Sequence, residues 1–288
     1  MAKLSPMMTE YLKTKEQYKD CILFYRLGDF YEMFFDDALT ASRELEITLT
    51  GKECGLEERA PMCGVPYHAL ESYLTRLVQK GYKVAIAEQM EDPKQAKGLV
   101  RREVIRVVTP GTLTSSQALD ETKNNFLMGI VYMGDCFGIA SCDITTGDFF
   151  VTEVKSEREL FDELAHFTPS EIVCNDAFFM SGIDMDELKN RCQAYLSSLD
   201  PRFFSDEGCR KVLKEHYRVA SLEGLGLGVY PVGTIAAGAV MEYMYETQKS
   251  DLSHITAITP YSTGQFMVLD ISTRRNLELL ETLREKQK

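Results

Sequence analysis

The stretch CILFYRLGDFYEMFFDDA, residues 21–38, decides the fold because it combines a strand, a sharp break and the approach to a helix. Residues 21–28 are rich in β-forming side chains, and Gly28-Asp29 interrupts them just before a cluster of aromatic residues. Residues 36–46 then favour a helix. A strand and a helix this close together predict a domain of mixed α/β structure.

The sequence on either side extends this mixed pattern over residues 1–112. Ser5-Pro6 predicts the start of a helix, because a capping hydroxyl followed by proline suits a first helical turn. The later predicted elements are a short strand near 47–50, a helix over 67–80 that Gly81 ends, and strands at 83–89 and 102–111. We place the end of this domain near Pro110-Gly111.

A second pattern begins after residues 113–124, which are polar and therefore typical of a linker. Residues 125–250 open with three strands joined by Gly-Asp and Thr-Thr-Gly-Asp turns, which predicts an antiparallel meander. The predicted strands are 126–134, 136–145, 148–154 and 171–175, and the predicted helices are 156–166, 184–198, 206–217 and 232–248. The resulting βββαβα order resembles a ribonuclease H-like layer.

The last segment, residues 251–288, becomes helical in pattern from about Thr273. Its Leu277, Leu280 and Leu283 form one apolar stripe that has no obvious partner in the chain. Because a lone apolar helix depends on packing for its stability, we expect the chain to end inside a third, helical domain.

Composition excludes several classes of protein. No apolar run approaches the roughly 18 residues that a bilayer requires, and the N-terminus lacks the apolar block of a signal peptide, so we expect a cytoplasmic protein. The 8 cysteines include no Cys-x-x-Cys pair and mostly lie in apolar strings. This pattern predicts reduced core residues rather than disulfides or a zinc site.

The charge of the chain is unevenly distributed. The total is −12, but residues 1–112 carry 16 Lys and Arg against 17 Asp and Glu, while residues 113–288 carry 16 against 27. The two parts therefore have net charges of −1 and −11. Because binding to phosphates relies on Lys and Arg, any contact with DNA is expected in the first part.

Five short motifs occur in order along the chain: GDFYE, GVPYHA, VAIAEQ, VTPGT and STRRNLEL. Together with the segments around them, at 23–38, 62–93, 96–112 and 269–280, they resemble the MutS family of mismatch-repair proteins over essentially the whole chain. A lone Phe-x-Glu carries almost no information, whereas the ordered set is specific. The resemblance implies the N-terminal portion of such a protein, truncated before the family's clamp and ATPase domains.

Within this resemblance, Phe30 and Glu32 match the pair that enters the DNA minor groove at a mispair. An inserted aromatic ring can unstack and kink a duplex, which costs less where the pair is already mismatched. Glu32 is implied to hydrogen-bond a mispaired base, best if protonated or facing a ring N–H. Spacing alone favours a different interpretation, in which Phe30 is a core aromatic residue and Glu32 a solvated charge.

Candidate roles extend to residues around Phe30 and Glu32 and to three basic residues. Tyr31 and Met33 are candidates for supporting the wedge or filling the core, and Phe34 and Phe35 are expected in the core. The resemblance places Lys52, His68 and Arg106 in segments that face the DNA backbone. The alternatives are solvated surface charges for Lys52 and Arg106 and a helix-end hydrogen bond for His68.

Two further hypotheses stay open. Ribonuclease H-like folds carry acidic metal ligands on their first strands, so Asp143 could centre a metal-dependent nuclease. However, Asp135 and Asp148 lie at turns, no matching later carboxylate is evident, and structural turn residues are favoured. In the other hypothesis, the acidic second domain binds a protein partner and the first domain merely folds.

The resemblance also sets expectations for cofactors and partners. The family acts as an ATP-dependent dimeric clamp that recruits a MutL-type partner partly through the connector, the domain predicted here at 125–250. Residues 251–288 correspond to the start of the helical core, or lever, domain. This chain has no Walker motif, and the glycine-rich segment 224–229 is interpreted as a flexible turn. We therefore expect no catalytic residue, no metal site and no bound ATP or Mg²⁺ in this fragment.

Overall fold

A computed structural model describes residues 4–91, 98–114 and 124–263, with residues 273, 276 and 277 beyond them. The chain divides into two compact units. Unit 1 comprises Met1–Lys123 and Met244–Asp251, and unit 2 comprises Asn124–Tyr243 and Leu252–Lys288. Most of the predicted linker at 113–124 lies outside the described residues. The same is true of most of the STRRNLEL motif and of the apolar stripe near the C-terminus.

Unit 1 is built on a mixed six-stranded sheet with the order β3-β4-β2-β1-β5-β6. Its elements are α1 (Pro6–Gln17), β1 (Cys21–Leu27), β2 (Phe30–Phe34), α2 (Phe35–Leu45), β3 (Thr50–Lys52), β4 (Ala60–Pro66), α3 (Leu70–Gln79), β5 (Lys83–Gln89) and β6 (Arg102–Val108). Strands β1 and β5 are parallel, and the other described neighbours are antiparallel. The predicted mixed α/β domain is confirmed.

The sheet of unit 1 buries both of its faces, because successive side chains of a strand point in opposite directions. On one face, Tyr31 and Met33 join a core that includes the apolar sides of α2 and α3. On the other face, Phe34 packs with Met8 and Tyr11 of α1. Ser5 caps α1 as predicted, since its hydroxyl accepts a hydrogen bond from the amide of Met8. The sheet is thus fixed between helices.

Two parts of unit 1 differ from the sequence predictions. The strand predicted near 47–50 begins only at Thr50, and β4 at Ala60–Pro66 was not predicted at all. Proline and glycine within β4 are typical of loops, yet Cys63 and Val65 alternate into the core and hold the strand in the sheet. The predicted helix over 67–80 is a 3-10 turn at Tyr67–Ala69 followed by α3.

Unit 2 contains a second six-stranded sheet, with the order β11-β10-β7-β8-β9-β12. Its elements are β7 (Phe126–Met133), β8 (Cys136–Asp143), β9 (Phe149–Val154), α4 (Glu157–Phe167), β10 (Glu171–Cys174), α5 (Met185–Arg191), β11 (Tyr195–Ser198), α6 (Asp206–Tyr217), α7 (Pro231–Gln248) and β12 (Thr259–Pro260). The residues of α7 from Met244 onward are assigned to unit 1. An antiparallel meander, β7 to β9, is extended at the β7 edge by parallel β10 and β11. This is the ribonuclease H-like arrangement.

The prediction of a helix over 184–198 is wrong for the second half of that segment. Asp184 caps α5, but the helix ends at Arg191, and Tyr195–Ser198 forms β11 beside β10. Pairing with a buried parallel strand overrides the helical pattern there. Beyond the predicted boundary at residue 250, Thr259–Pro260 adds β12 to the same sheet. The glycine-rich segment 224–229 forms two short 3-10 turns.

The cysteines lie where the sequence predicts. All are free thiols, and each is buried except Cys192, which is half-buried. Burial raises the pKa of the Cys21 thiol to about 12, which keeps that group neutral and unreactive. Among the described residues, no helix is long and apolar enough to cross a membrane.

Candidate nucleic-acid interface

The candidate site begins at a two-residue turn between β1 and β2. Leu27 pairs with Phe30 across the hairpin, so Gly28 and Asp29 form the whole connection. Gly28 has a φ of +61°, a conformation that a hairpin turn of this length requires and that glycine adopts without strain. The carbonyl of Asp29 accepts a hydrogen bond from the amide of Tyr67 at 2.9 Å. The turn is therefore held both by the pairing of β1 with β2 and by the hydrogen bond from Tyr67.

Strand β2 exposes one of its large apolar side chains and buries the rest. Phe30 is 47% exposed, whereas Tyr31, Met33 and Phe34 are buried. The interpretation of Phe30 as a core aromatic residue is wrong, because it is about half exposed at the first position of β2. Phe35 is half-buried against the α1 side of the core, and Met33 is a core residue.

Tyr31 is fixed below the turn by a hydrogen bond rather than by packing alone. Its hydroxyl donates to Glu88 at 2.6 Å, a residue of the VAIAEQ motif on β5. Burial, and then the contact with Glu88, raise the pKa of Tyr31 to about 12, while Arg26 opposes this shift. Tyr31 therefore stays neutral and ties the start of β2 to β5.

Arg26 is a component of the site that sequence reasoning missed. Its guanidinium lies 4.1 Å from the ring centroid of Tyr67, and its Nε donates to the carbonyl of Gly28 at 2.5 Å. A guanidinium nitrogen also lies 3.6 Å from the carboxylate of Glu88. Arg26 thus braces the turn that carries Phe30. A single cation separated from the Gly-Asp turn only by Leu27 was the available signal.

Glu32 forms an ion pair with Lys52 across this face of the sheet. The ammonium of Lys52 lies 2.5 Å from Oε2 of Glu32 and 5.5 Å from the ring centroid of Phe34. On β4, the residue opposite Glu32 is Gly64, where an added Cβ would lie 3.5 Å from Cγ of Glu32. The absent side chain leaves room for the carboxylate, which sequence spacing did not reveal.

The other two predicted backbone contacts have different surroundings. His68 is exposed in the 3-10 turn before α3, with its ring edge-on to Tyr67. Arg106 is half-buried, and its guanidinium donates to the hydroxyl of Thr114 at 2.8 Å. Burial lowers the pKa of Arg106, although Glu71 opposes the effect. His68 thus lies next to Tyr67, which contacts the β1–β2 turn, while the guanidinium of Arg106 is hydrogen-bonded to Thr114.

Comparison with known proteins agrees with the motifs. Residues 5–117 match the family model of MutS domain I, and residues 125–256 match that of MutS domain II. The chain belongs to the MutS family. Phe30 and Glu32, with the surrounding Arg26, Lys52 and His68, fall within the domain I match.

Curated relatives of the MutS family match the whole chain. A DNA mismatch repair protein MutS from Lachnoclostridium phytofermentans is 64% identical over 288 residues, covering 100% of this chain and 31% of the relative. Proteins of the same name from Acetivibrio thermocellus and Ruminiclostridium cellulolyticum are 54% and 52% identical, again over 100% of this chain and 33% of each relative. The chain spans about a third of the length of the curated relatives that it matches.

The MutS domain II match contains the acidic residues of the nuclease hypothesis. Asp143 is fully buried, and its carboxylate accepts hydrogen bonds from the amides of Asn125 and Thr145 and from the Thr145 hydroxyl. Asp148 accepts from Thr146 within the same turn, and Asp135 accepts from Tyr132. These carboxylates therefore stabilise turns by accepting hydrogen bonds within them. The described ranges contain no cluster of three His, Cys, Asp or Glu residues suited to a metal ion.

Proposed function

We propose that the chain recognises mismatched double-stranded DNA through unit 1, with Phe30 as an aromatic wedge. The observation that carries the proposal is the 47% exposure of Phe30 next to a braced turn, whereas Tyr31 and Phe34 of the same aromatic cluster are buried. Membership of the MutS family, whose matched relatives are named as DNA mismatch repair proteins, supports the same function.

The wedge would act through the mechanics of DNA rather than through a base code. An aromatic ring that enters the minor groove partly unstacks a base step and kinks the duplex, at a cost of a few kcal/mol. A mispaired step is already weakened, so it opens at lower cost than a matched one. A single exposed ring on a rigid support is sufficient for this discrimination.

Glu32 would add a polar contact beside the wedge. It lies two residues after Phe30 on the same strand, so both side chains belong to the same face of β2. A carboxylate oxygen accepts hydrogen bonds, and a mispaired base displaced from its partner presents an unpaired ring N–H. We propose that Glu32 accepts this hydrogen bond and thereby stabilises the opened step.

The contacts with the DNA backbone stay predictions for Lys52, His68 and Arg106. The exposure of His68 next to the turn supports its role, and its ring can donate to a phosphate oxygen. Arg106 would have to release Thr114 before reaching a phosphate. The ion pair of Lys52 with Glu32 favours a different role for Lys52.

The whole protein is proposed to work as the family resemblance implies. It would be a dimer in which ATP and Mg²⁺ control release of DNA, with a MutL-type partner bound partly through unit 2. Those activities would not reside in the described residues, for which we propose recognition without catalysis. A cytoplasmic location is part of the same proposal.

Phe30→Ala, made in the complete gene product that contains this sequence, tests the proposal. We expect it to abolish the preference for a duplex with one G·T mispair over the matched duplex, measured by fluorescence anisotropy. The matched control is Phe179→Ala, because Phe179 is a phenylalanine of unit 2 with a similar exposure of 44%. Unchanged discrimination by Phe30→Ala would contradict the proposal and favour a protein-interaction module.

A further inference from the structure

We propose that Lys52 is a positioning residue for Glu32, and that it determines how well Glu32 reads a mispaired base. This inference rests on the proposed function and deepens it. It makes the partner of Lys52 the carboxylate of Glu32 instead of a DNA phosphate. The separation of Lys52 and Glu32 in the sequence does not predict this contact.

The geometry places Lys52 between two fixed groups. Its ammonium lies 2.5 Å from Oε2 of Glu32 and 5.5 Å from the ring centroid of Phe34, which is fully buried. The side chains of Lys52 and Glu32 retain only 32% and 15% of their exposure. A long cationic side chain held by both a carboxylate and an aromatic face has few alternative conformations.

The two oxygens of Glu32 are thereby divided between two tasks. Oε2 accepts from Lys52, whereas Oε1 accepts no hydrogen bond from any residue that the structure describes. Gly64 on the neighbouring strand adds no side chain that would cover the carboxylate. Oε1 is therefore available to accept an N–H from a base edge while Oε2 keeps its partner.

Charge gives Lys52 a second effect on the same residue. A carboxylate in the minor groove is repelled by the phosphates around it, and exposed charges act over about 8 Å at physiological ionic strength. An ammonium in contact with the carboxylate makes the pair neutral as a unit. Lys52 can therefore stay with Glu32 on the DNA and offset the repulsion that Glu32 alone would experience.

A phosphate contact by Lys52 would leave a different signature. Each phosphate that a protein cation neutralises adds roughly 0.9 to the slope of log affinity against log salt. Such a contact would also contribute equally whether or not Glu32 is present. Lys52 acting through Glu32 instead predicts an effect that depends on Glu32, so that with Glu32→Gln already present Lys52→Met should leave the salt slope unchanged.

The test is a double-mutant cycle of Lys52→Met and Glu32→Gln in the complete gene product, with affinity for a G·T duplex and its matched counterpart measured at several salt concentrations. We expect Lys52→Met to lower affinity for the G·T duplex by about tenfold, as for loss of a charged hydrogen bond. With Glu32→Gln already present, the same change should cost less than about twofold. Lys52→Arg should restore most of the affinity.

The outcomes separate this inference from the proposed function. Equal losses with and without Glu32→Gln, or a salt slope that falls by about one unit when Lys52→Met is added to Glu32→Gln, would overturn the role of Lys52 and return it to the DNA backbone. The proposed function itself would fail only if Phe30→Ala kept its discrimination in the same assay. Thermal unfolding of each variant shows whether Lys52→Met and Lys52→Arg are equally folded.

Discussion

At the scale of single residues, Phe30 owes its exposure to the residues on either side of it. Both faces of the sheet are buried, but Phe30 is the first residue of β2, directly after the turn that Gly28 allows. Its ring therefore lies at the end of the strand, whereas Phe34 on the same face packs with α1. Arg26 and Glu88 then immobilise the turn. A wedge must resist being pushed back by the bases that it separates, and this support supplies the resistance.

Arg26→Gln should therefore weaken recognition without touching Phe30. The substitution removes the stacking on Tyr67 and the ion pair with Glu88, so the turn is held less firmly. We expect mismatch preference to fall by about fivefold, equivalent to about 1 kcal/mol. Binding to mismatched and matched duplexes measures it. Arg43→Gln is the control, because Arg43 makes an exposed pair with Glu44 in α2; equal effects of the two substitutions would contradict the bracing role.

Only part of the candidate site could be predicted from sequence. The positions of Phe30 and Glu32 came from the resemblance, and spacing alone pointed to the core for Phe30. Arg26 was missed, and Lys52 was predicted to contact the DNA backbone rather than Glu32. Their partners come from distant segments: Tyr67 and Glu88 for Arg26, and Glu32 for Lys52. Such contacts depend on strand order, which single-sequence periodicity does not contain.

At the scale of elements, α7 packs against the sheet of unit 2 through glycines rather than through large side chains. A Cβ added to Gly138 of β8 would lie 2.3 Å from the carbonyl carbon of Val232, and one added to Gly129 of β7 would lie 2.5 Å from a methyl group of Val240. The helix can approach this closely only because both strands lack side chains there.

Gly138→Ala should destabilise unit 2 strongly. The new methyl group would meet helix backbone, which cannot move aside as a flexible side chain does, and such overpacking costs about 3 kcal/mol. The free energy of unfolding in urea measures the loss. Gly224→Ala is the control, because a Cβ there would meet no atom within 4 Å. Similar losses for the two variants would contradict close packing of α7.

Elements with a local pattern of their own were predictable, and elements that depend on their neighbours were not. The strand at 83–89 matches β5, whose alternation is weak because four consecutive residues are buried, and the helix at 206–217 matches α6. Strand β4 was missed because its prolines and glycine suppress the local signal. The second half of the helix predicted at 184–198 was wrong because pairing with β10 decides that segment.

At the scale of the whole molecule, the distribution of charge limits how the chain can hold DNA. The region that contains the wedge is nearly neutral, and the remainder of the chain is strongly acidic. Phosphate contacts supply much of the affinity of ordinary DNA-binding proteins. Under the proposed function, the chain would discriminate a weak base step while binding the duplex around that step only weakly.

The affinity of the 288-residue chain for DNA should accordingly depend only weakly on salt. Three predicted backbone contacts would give a slope of log affinity against log salt of about −3, and fewer contacts a shallower one. Titrations at several salt concentrations measure this slope. A slope steeper than about −5 would show that cations outside the candidate interface hold the phosphates.

The most direct test of the central claim, that Phe30 unstacks a mispaired step, is the fluorescence of 2-aminopurine placed next to a G·T mispair. Stacking quenches this base analogue, so insertion of a ring beside it should raise its emission. We predict a rise on binding of the complete gene product, no rise with the matched duplex, and no rise with Phe30→Ala at saturating protein. An equal rise with Phe30→Ala would contradict the account.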